Sequence, residues 1–516
     1  MSKAKSSSDN ARNVLMDKIV SLCKRRGFVF QSSEIYGGLN GCWDYGPLGA
    51  ELKKNLKDYW WTRMVRDRDD VVGMDGAILQ NRRVWEASGH VGTFSDPLVD
   101  CKETKARFRA DQIFYASAVI GGESHGYVSV TESPTMAEEA EQKIRKIQKK
   151  GGIKGEIAAL EMKPLMEATP EEHALIPSPN STEPGTLTEP REFNLMFKTY
   201  VGPVENDSNV TYLRPETAQA IFVQFKNVCD SSRIKIPFGI AQIGKAFRNE
   251  INPRNFTFRS REFEQMEIEY FCRPEEGLPL LKEWLETRLK FYEEIGIPRE
   301  KLHILDVPEK ERAHYSGGTY DIEYEFPFGI QELEGVAYRT NYDLTKHQEH
   351  SGKTLEYIDQ ATNEKFIPHV VEPSAGVDRT VLAVICEAFD EETITNEKGK
   401  EEVRTVLRFS PRMAPIKCGI FPLLKNKPEL VAKAREVQEV LRPHMNVFYD
   451  EGGAVGRRYR RQDEIGTPFC VTIDFDTIGE NGPEAEDTVT VRERDAMTQE
   501  RIKIADLLTY LLERLR

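Results

Sequence analysis

Residues 247–271 gather arginines, aromatic rings and carboxylates in a spacing suited to holding a nucleotide. The run Phe247-Arg248-Asn249-Glu250, a loop over 251–257, and Phe258-Arg259-Ser260-Arg261-Glu262-Phe263-Glu264-Gln265-Met266-Glu267-Ile268-Glu269-Tyr270-Phe271 read as two strands joined by a turn. A two-residue period places Arg248 and Glu250 on one face. On the return strand Phe263, Gln265, Glu267 and Glu269 share a face, and Met266, Ile268 and Tyr270 share the other. One surface then offers a guanidinium for phosphate, a ring for base stacking and a carboxylate for an exocyclic amine.

Three further clusters have comparable chemistry. In Glu372-Pro373-Ser374-Ala375-Gly376-Val377-Asp378-Arg379 a strand is expected to end at Glu372 and Gly376 to make the turn. Arg379 then falls in the first turn of an apolar helix over 380–389, where a fork donor joins a favourable dipole, an arrangement suited to an anionic phosphate tail. Arg214-Pro215-Glu216-Thr217-Ala218-Gln219 opens a helix with a carboxylate near its start, and Gln331-Glu332-Leu333-Glu334 leads through Arg339 to Asp343. Any one of these arginines, taken singly, reads as an ordinary salt-bridge former; the set outweighs that reading. His347-Gln348-Glu349-His350 lacks further nearby ligands and reads as polar structure rather than a metal site.

The elements that must position these residues follow from periodicity and punctuation. Helical stretches are expected over 11–26 and 50–65, separated by a segment punctuated by Gly37, Gly38, Gly41, Gly46 and Gly49. Residues 1–10 are polar, carry no secretory signal and read as a disordered start. The stretch of about 131–190, with a charged helix over 137–150 and a loop rich in Pro, Ser, Thr and Glu, reads as a surface insertion in a larger domain. Ser410-Pro411-Arg412-Met413-Ala414-Pro415 reads as a linker. Beyond it strands over 418–421, 446–449, 469–475 and 488–492 alternate with helices over 429–441, 458–464 and 502–515, a compact α/β domain.

Bulk properties only bound the answer. The chain has 516 residues, 39% hydrophobic and 30% charged, as an ordinary globular protein does. No apolar run reaches the roughly 20 residues that span a bilayer, and the eight cysteines show no C-x-x-C spacing, which favours reduced, mostly buried thiols. A net charge of −13 argues against a general nucleic-acid coat, so a specific RNA contact needs a local basic patch. The stretch 456–468, opening Gly456-Arg457-Arg458-Tyr459-Arg460-Arg461 and closing at Pro468, is the best local candidate, four arginines interleaved with a tyrosine, suited to phosphate contact and stacking on single-stranded RNA.

The stretches 247–271 and 372–379 resemble motifs 2 and 3 of the class II aminoacyl-tRNA synthetases. Tyr36-Gly37-Gly38, Trp85-Glu86-Ala87-Ser88-Gly89-His90, Arg214-Pro215-Glu216-Thr217 and Glu372-Pro373-Ser374 resemble in detail the glycyl-tRNA synthetase family of the homodimeric type. The resemblance spans nearly the whole chain, and no class I signature is present; Trp85 and His90, although part of the pattern, read as structural. It departs at motif 1, where a proline common in the family is replaced by Asn81-Arg82-Arg83-Val84.

The resemblance implies an α+β fold: a class II catalytic domain over 11–412, built on an antiparallel β-sheet with flanking helices, and an anticodon-binding domain over 413–516. It implies activation of glycine with ATP to glycyl-adenylate, transfer to the 3′ end of tRNA(Gly), Mg²⁺ accompanying ATP, a homodimer, and a cytoplasmic location. The family's catalytic arginines fall at Arg248 and Arg379. Its ATP-binding positions fall at Arg248, Asn249 and Glu250, at Phe258, Arg259, Ser260, Arg261, Glu262 and Phe263, at Glu332 and Leu333, and at Gly376, Val377, Asp378 and Arg379. Within these, Phe263 would stack on adenine and Glu250 would meet its amine. Glu332 is a candidate to help hold Mg²⁺, with no metal site formed by protein alone. Glycine-binding positions fall at Arg109, Glu216, Phe263, Glu264, Gln265, Met266 and Glu267, and at Glu372, Pro373, Ser374, Ala375 and Gly376; Arg339 is a weaker candidate for the glycine carboxylate. Glycine has no side chain, so its pocket must select by exclusion. Nothing smaller exists to be rejected, so no editing domain is needed. Two rivals are a synthetase-like binding protein that has lost catalysis and a synthetase for another small amino acid.

Overall fold

The computed structural model describes residues 2–133, 135–395 and 399–515, with side chains from Val14 onward. A seven-stranded sheet forms the centre. Its strands in chain order are β1 (Val71–Gly73), β2 (Phe238–Phe247), β3 (Glu262–Cys272), β4 (Leu302–Asp306), β5 (Gly318–Phe326), β6 (Gly329–Thr340) and β7 (His369–Gly376). They lie in the order β4-β5-β6-β7-β3-β2-β1, antiparallel except for the parallel edge pair β2·β1.

Strand alternation divides the sheet into two chemically different faces. Met266, Ile268, Tyr270, Val336, Val371 and Ala375 turn to the back and are buried in one apolar cluster. That cluster includes Leu52, Leu56 and Trp60 of α2 (Pro47–Trp61), Leu281, Trp284 and Leu289 of α4 (Gly277–Glu294) and the apolar side of α5 (Val377–Ala388). The front is polar in the middle. At one end it is closed by α3 (Ala218–Ser232), whose Ile221, Phe222 and Phe225 pack on Phe238, Ile240 and Phe271. α1 (Ser2–Arg26) is helical from its second residue, so the polar start that composition marks as irregular is continuous with the expected helix; neither Pro nor Gly interrupts it.

β7 runs four residues past Glu372, where the strand was expected to end. Proline is ordinarily excluded from central strands because it lacks the N–H. Here the register to β3 holds on both sides, Glu267 opposite Ser374 and Tyr270 opposite Val371, and only the positions around Pro373 are unpaired. Gly376 has an ordinary extended conformation (φ −79°), so the strand-to-helix turn does not need a glycine's freedom.

The insertion forms its own unit and begins before residue 131. Ser95–Asp100 pairs with Arg107–Arg109 and Arg191–Asn194, and a hairpin, Ile113–Ile120 with Glu123–Thr131, carries the charged helix Met136–Gly151. The C-terminal domain has five strands, β8 (Cys418–Pro422), β9 (Val447–Tyr449), β10 (Phe469–Ile473), β11 (Thr488–Glu493) and β12 (Gln499–Lys503), ordered β9-β8-β10-β11-β12. With them pack α6 (Pro428–Leu441), α7 (Val455–Ile465) and α8 (Ile504–Arg514). β12 is the one strand that the sequence pattern does not disclose.

The two domains are joined by buried charge rather than by a loose linker. Met413 and Ala414 belong to the catalytic core cluster. A ribbon that continues from α5, Phe389–Thr395 with Glu401–Leu407, carries Arg404 onto Asp463 of α7 (2.9 Å), where Arg492 of β11 also binds (2.9 Å). Both side chains of the Arg404–Asp463 pair are fully buried. Asp463→Ala should leave the buried Arg492 without a counter-charge and Arg404 with Glu392 alone, costing about 3–5 kcal/mol. The expected result is a clearly lower denaturation midpoint for the C-terminal domain; an unchanged midpoint would show that the pair contributes nothing.

Candidate active site

The polar front of the sheet opens into a cleft lined by Arg248, Glu250, Thr257, Phe258, Arg259, Ser260, Phe263, Gln265, Glu332, Leu333, Ser374, Gly376, Asp378 and Arg379. Arg248 lies just beyond β2, and its side chain makes one hydrogen bond among the described residues, from Nε to the Pro215 carbonyl (3.1 Å). Its guanidinium sits 5.5 Å from the Phe94 ring centre and 5.3 Å from that of Phe263. Among the described residues no carboxylate pairs with it, so its two terminal nitrogens remain available to an anion. Across the cleft Arg379 donates to the Phe258 carbonyl (3.2 Å), packs over the Phe258 ring (4.5 Å) and meets Glu332 (3.3 Å). Phe258 is itself held edge-on against Phe326 and Phe328, both at 5.2 Å. Glu250 is buried with Oε2 lacking a hydrogen-bond partner, 3.5 Å from Arg259 Nε.

Several expected site residues face elsewhere. The two-residue period turns Glu264 to the back, onto Lys53 and Lys57, and Met266 into the apolar cluster. Ala375 and Val377 are in that same cluster, and Pro373 pairs with Val336 between the front-facing Glu372 and Ser374. Glu262 pairs with Lys245 outside the cleft. Asn249 does not line the cleft, and its amide donates to Leu195. Arg261 turns away to the carbonyls of Asn40 and Glu250. The Asp378 carboxylate is taken by Tyr45 and Lys53 and caps the Glu264 amide. Arg109 stands at the insertion's edge, paired with Asp96 (2.8 Å) and Asp111 (2.6 Å), close enough to feel the charge of Glu250.

Deeper in, the front face carries a concentration of buried carboxylates. Glu267 accepts from the Ser374 hydroxyl (2.6 Å), the Gln265 amide (2.8 Å), the Thr217 backbone (3.1 Å) and the Thr217 hydroxyl. Glu216 meets His90 Nε2 (3.5 Å) and Gln219 (2.9 Å). Arg339 spends its donors on Asp343 (2.8 and 3.0 Å) and Glu372 (2.9 Å), under the Tyr315 ring at 4.0 Å. It is therefore engaged with protein carboxylates and not free for a ligand carboxylate. Glu269 is fully buried and neither oxygen has a hydrogen-bond partner; the β3·β7 register sets it across from Glu372.

The titration behaviour follows from this crowding. Burial pushes Glu269 well above the ordinary carboxylate range, and Glu372 adds to it. Glu267 is raised by burial and by Glu216. Burial likewise pushes Glu372 up to about 7, with Arg339 pulling against it. At Glu216 burial would act the same way, but His90, Arg339 and Gln219 outweigh it and hold the carboxyl well below the usual range. Burial and mutual repulsion thus disfavour the charged forms of these carboxyls, and a ligand cation would offset that penalty. Beside it Asp321 is pushed to about 7 by burial, Glu332 and Glu323.

Of these residues, Glu269, Asp321 and His90 were not among the expected site residues. Glu269 follows the same alternation that marks Gln265 and Glu267. His90 lies in the Trp85–His90 stretch but looked structural, since nothing local ties it to Glu216, 126 positions away in the numbering. His347 is structural as expected: it bonds Gln219 (2.7 Å), and burial lowers it to about 4.

A family pattern described as the tRNA synthetase class II core domain (G, H, P, S and T) matches 198–388, and an anticodon binding domain matches 417–514. The chain is 49% identical to glycine–tRNA ligase of Thermobifida fusca over 98% of its length and 99% of that protein's. It is 50% identical to that of Clostridium perfringens over 95% and 97%, and 47% identical to that of Thermus thermophilus over 97% and 99%. The chain belongs to the glycine–tRNA ligase family. It is an ATP-dependent aminoacyl-tRNA synthetase that attaches glycine to tRNA. Both rivals, the binding protein without catalysis and the ligase for another amino acid, give way to this assignment.

The anticodon-binding domain treats its arginine run differently from expectation. Arg458 is buried and donates to the carbonyls of Gly453, Glu451 and Pro422. Arg460 pairs with Glu402 and Arg461 with Asp450, and the Tyr459 hydroxyl bonds Thr472. Only Arg457 is left exposed without a charged partner among the described residues, so the stretch serves the domain's own structure more than an RNA surface. No helix of the described residues is long and apolar enough to cross a membrane.

A pH dependence follows from Glu372. Below about pH 7 it takes up a proton and the pocket loses a negative charge, so binding of a ligand ammonium should weaken as pH falls. Neither end of glycine titrates between pH 6 and 8. The glycine KM in ATP–pyrophosphate exchange should therefore rise by about tenfold per pH unit at most below that value, with kcat changing less. Glu372→Gln should raise KM and flatten the dependence; persistence of the slope in that variant would assign it to another group.

Proposed function

We propose that ATP occupies the cleft between Arg248 and Arg379, and that the glycine ammonium sits in the carboxylate pocket formed by Glu216, Glu267 and Glu372 with Ser374. The observation that carries this reading is the pocket itself: several buried carboxylates, one internally committed guanidinium, and raised pKa values that leave room for a cation. Phe263 offers a face to adenine and Glu250, with its unpartnered oxygen, accepts from the adenine amine. The glycine carboxylate attacks the α-phosphorus in line as pyrophosphate leaves. Arg248 meets the charge that builds on the phosphorus oxygens, and Arg379 lies on the side of the departing phosphates. Positioning and fixed positive charge supply the acceleration, and no protein base is required. A methyl on the substrate would have to displace hydrogen-bonded side chains, which is how the pocket selects glycine.

Among the described residues no cluster of three His, Cys, Asp or Glu builds a metal site. The exposed Glu332 carboxylate, with Asp321 near it, suits a Mg²⁺ that arrives with ATP. Such an ion would neutralise triphosphate charge. We also place the chain in the cytoplasm as a homodimer; β1 ends the sheet with one side unpaired, which suits pairing with a second copy.

Two measurements test the assignment. ATP–pyrophosphate exchange with glycine, alanine, serine and proline in parallel should proceed with glycine alone. Arg248→Ala should cut that exchange by about 10²–10³-fold with an unchanged melting temperature. Near-normal exchange in the variant would remove Arg248 from its role.

A further inference from the structure

The loop over 32–42, which contains Tyr36-Gly37-Gly38, takes no part in the site described above, yet it displays the most exposed large apolar side chains of the described residues. Ile35 is 88% and Tyr36 86% exposed, with Leu39 at 55%. This is not a slack loop. Its backbone is closed by hydrogen bonds from Tyr36 and Gly38 to Ser33, from Leu39 to Ser32, from Cys42 to Leu39 and from Ser32 to Cys42. Ser33, Gly37, Gly38 and Gly41 all hold positive φ, and a Cβ at Gly38 would strike the Gln31 side chain. A chain that rigidly presents an isoleucine and a tyrosine to solvent offers a contact surface.

The loop is fastened to the wall of the cleft. The Arg261 amide donates to the Gly41 carbonyl (2.7 Å) and its guanidinium to the Asn40 carbonyl (2.7 Å). Gly41 lies so close to Pro253, in the turn between β2 and β3, that a Cβ there would approach its ring to 2.6 Å. The Trp43 ring packs edge-on to Phe256 at 4.7 Å. Residues 248–261 thus face the cleft on one side and carry the Tyr36 loop on the other.

We propose that Tyr36, flanked by Ile35, is a stacking platform for an unpaired base at the 3′ end of the tRNA as that end enters the cleft. This rests on the placement of the reaction between Arg248 and Arg379. The charges around the loop choose the kind of contact. Glu34 and Asp44 are exposed beside it and repel a phosphate backbone, so the tyrosine meets a base face rather than a phosphate. Arg254 of the adjoining turn is exposed, has no ion-pair partner among the described residues and lies close enough to the cleft-lining Arg259 for their charges to interact, so the strand's phosphates would follow it. The single-stranded end of an RNA already bound for this cleft satisfies both features; a second protein copy would satisfy only the apolar one.

The test separates activation from transfer in Ile35→Ser/Tyr36→Ala. Aminoacylation kcat/KM for full-length tRNA should fall by about tenfold or more, the range for loss of one base stack. Glycine-dependent ATP–pyrophosphate exchange should stay within about twofold. Tyr36→Trp should retain aminoacylation, because any aromatic face suffices. A tRNA carrying 2-aminopurine as its terminal base should be quenched by the parent protein and not by Tyr36→Ala, and the difference should persist at raised salt, unlike a phosphate contact. Unchanged aminoacylation would overturn the proposal. So would a variant that sediments as a smaller particle with both activities reduced, since the loop would then belong to a subunit interface. Absence of exchange in the parent would instead overturn the placement of the reaction centre.

Discussion

Buried negative charge is the constraint from which the rest of this active site follows. Glu216, Glu267, Glu269, Glu372 and Asp343 lie together over one face of a sheet, with Arg339 the buried arginine that pairs directly with two of them. Such a set is costly unless each member is paired, hydrogen-bonded or protonated. The structure draws on each remedy: Arg339 takes Asp343 and Glu372, Thr217, Gln265 and Ser374 surround Glu267, and burial pushes Glu269 well above the ordinary carboxylate range. On the proposed placement of glycine, what the fold cannot neutralise internally is left for the substrate. Affinity for an ammonium is in this sense stored in the folded protein as incomplete charge compensation.

That arrangement dictates what must stand behind it. Carboxylates this deep need a rigid floor, and the back of the sheet supplies one, with α2, α4 and α5 packed on a continuous apolar layer. α5 begins immediately after β7, so the strand that carries Glu372 and Ser374 delivers Arg379 within a few residues. The carboxylate pocket and Arg379 are therefore fixed relative to each other by one unbroken stretch of backbone, at the point where it changes from strand to helix.

Strand alternation made much of this readable in the sequence. Phe263, Gln265, Glu267 and Glu269 share a face because they are two apart, and the same rule removes Glu264, Met266, Pro373 and Ala375 from it. Local pattern could not reveal partners distant along the chain. Arg261 and Arg458 resemble ligand-binding arginines until the fold supplies the carbonyls of Asn40 and Pro422 that occupy them. His90 looked structural until it met Glu216. The end of β7 was misplaced because a proline argues against a strand, and the register carries past the one missing N–H. The RNA character of 456–468 was inferred from composition alone, which does not distinguish an arginine that reaches solvent from one that caps its own domain.

The knot at Asp463 has a mechanical meaning. The ribbon that brings Arg404 to it springs directly from the last turn of α5, the helix whose first turn holds Arg379. A stiff rod thus runs from the anticodon-binding domain to the edge of the ATP cleft, clamped at one end by opposite charges and at the other by the apolar floor. The Asp463 knot thus ties the anticodon-binding domain to the same continuous stretch of backbone that carries Arg379.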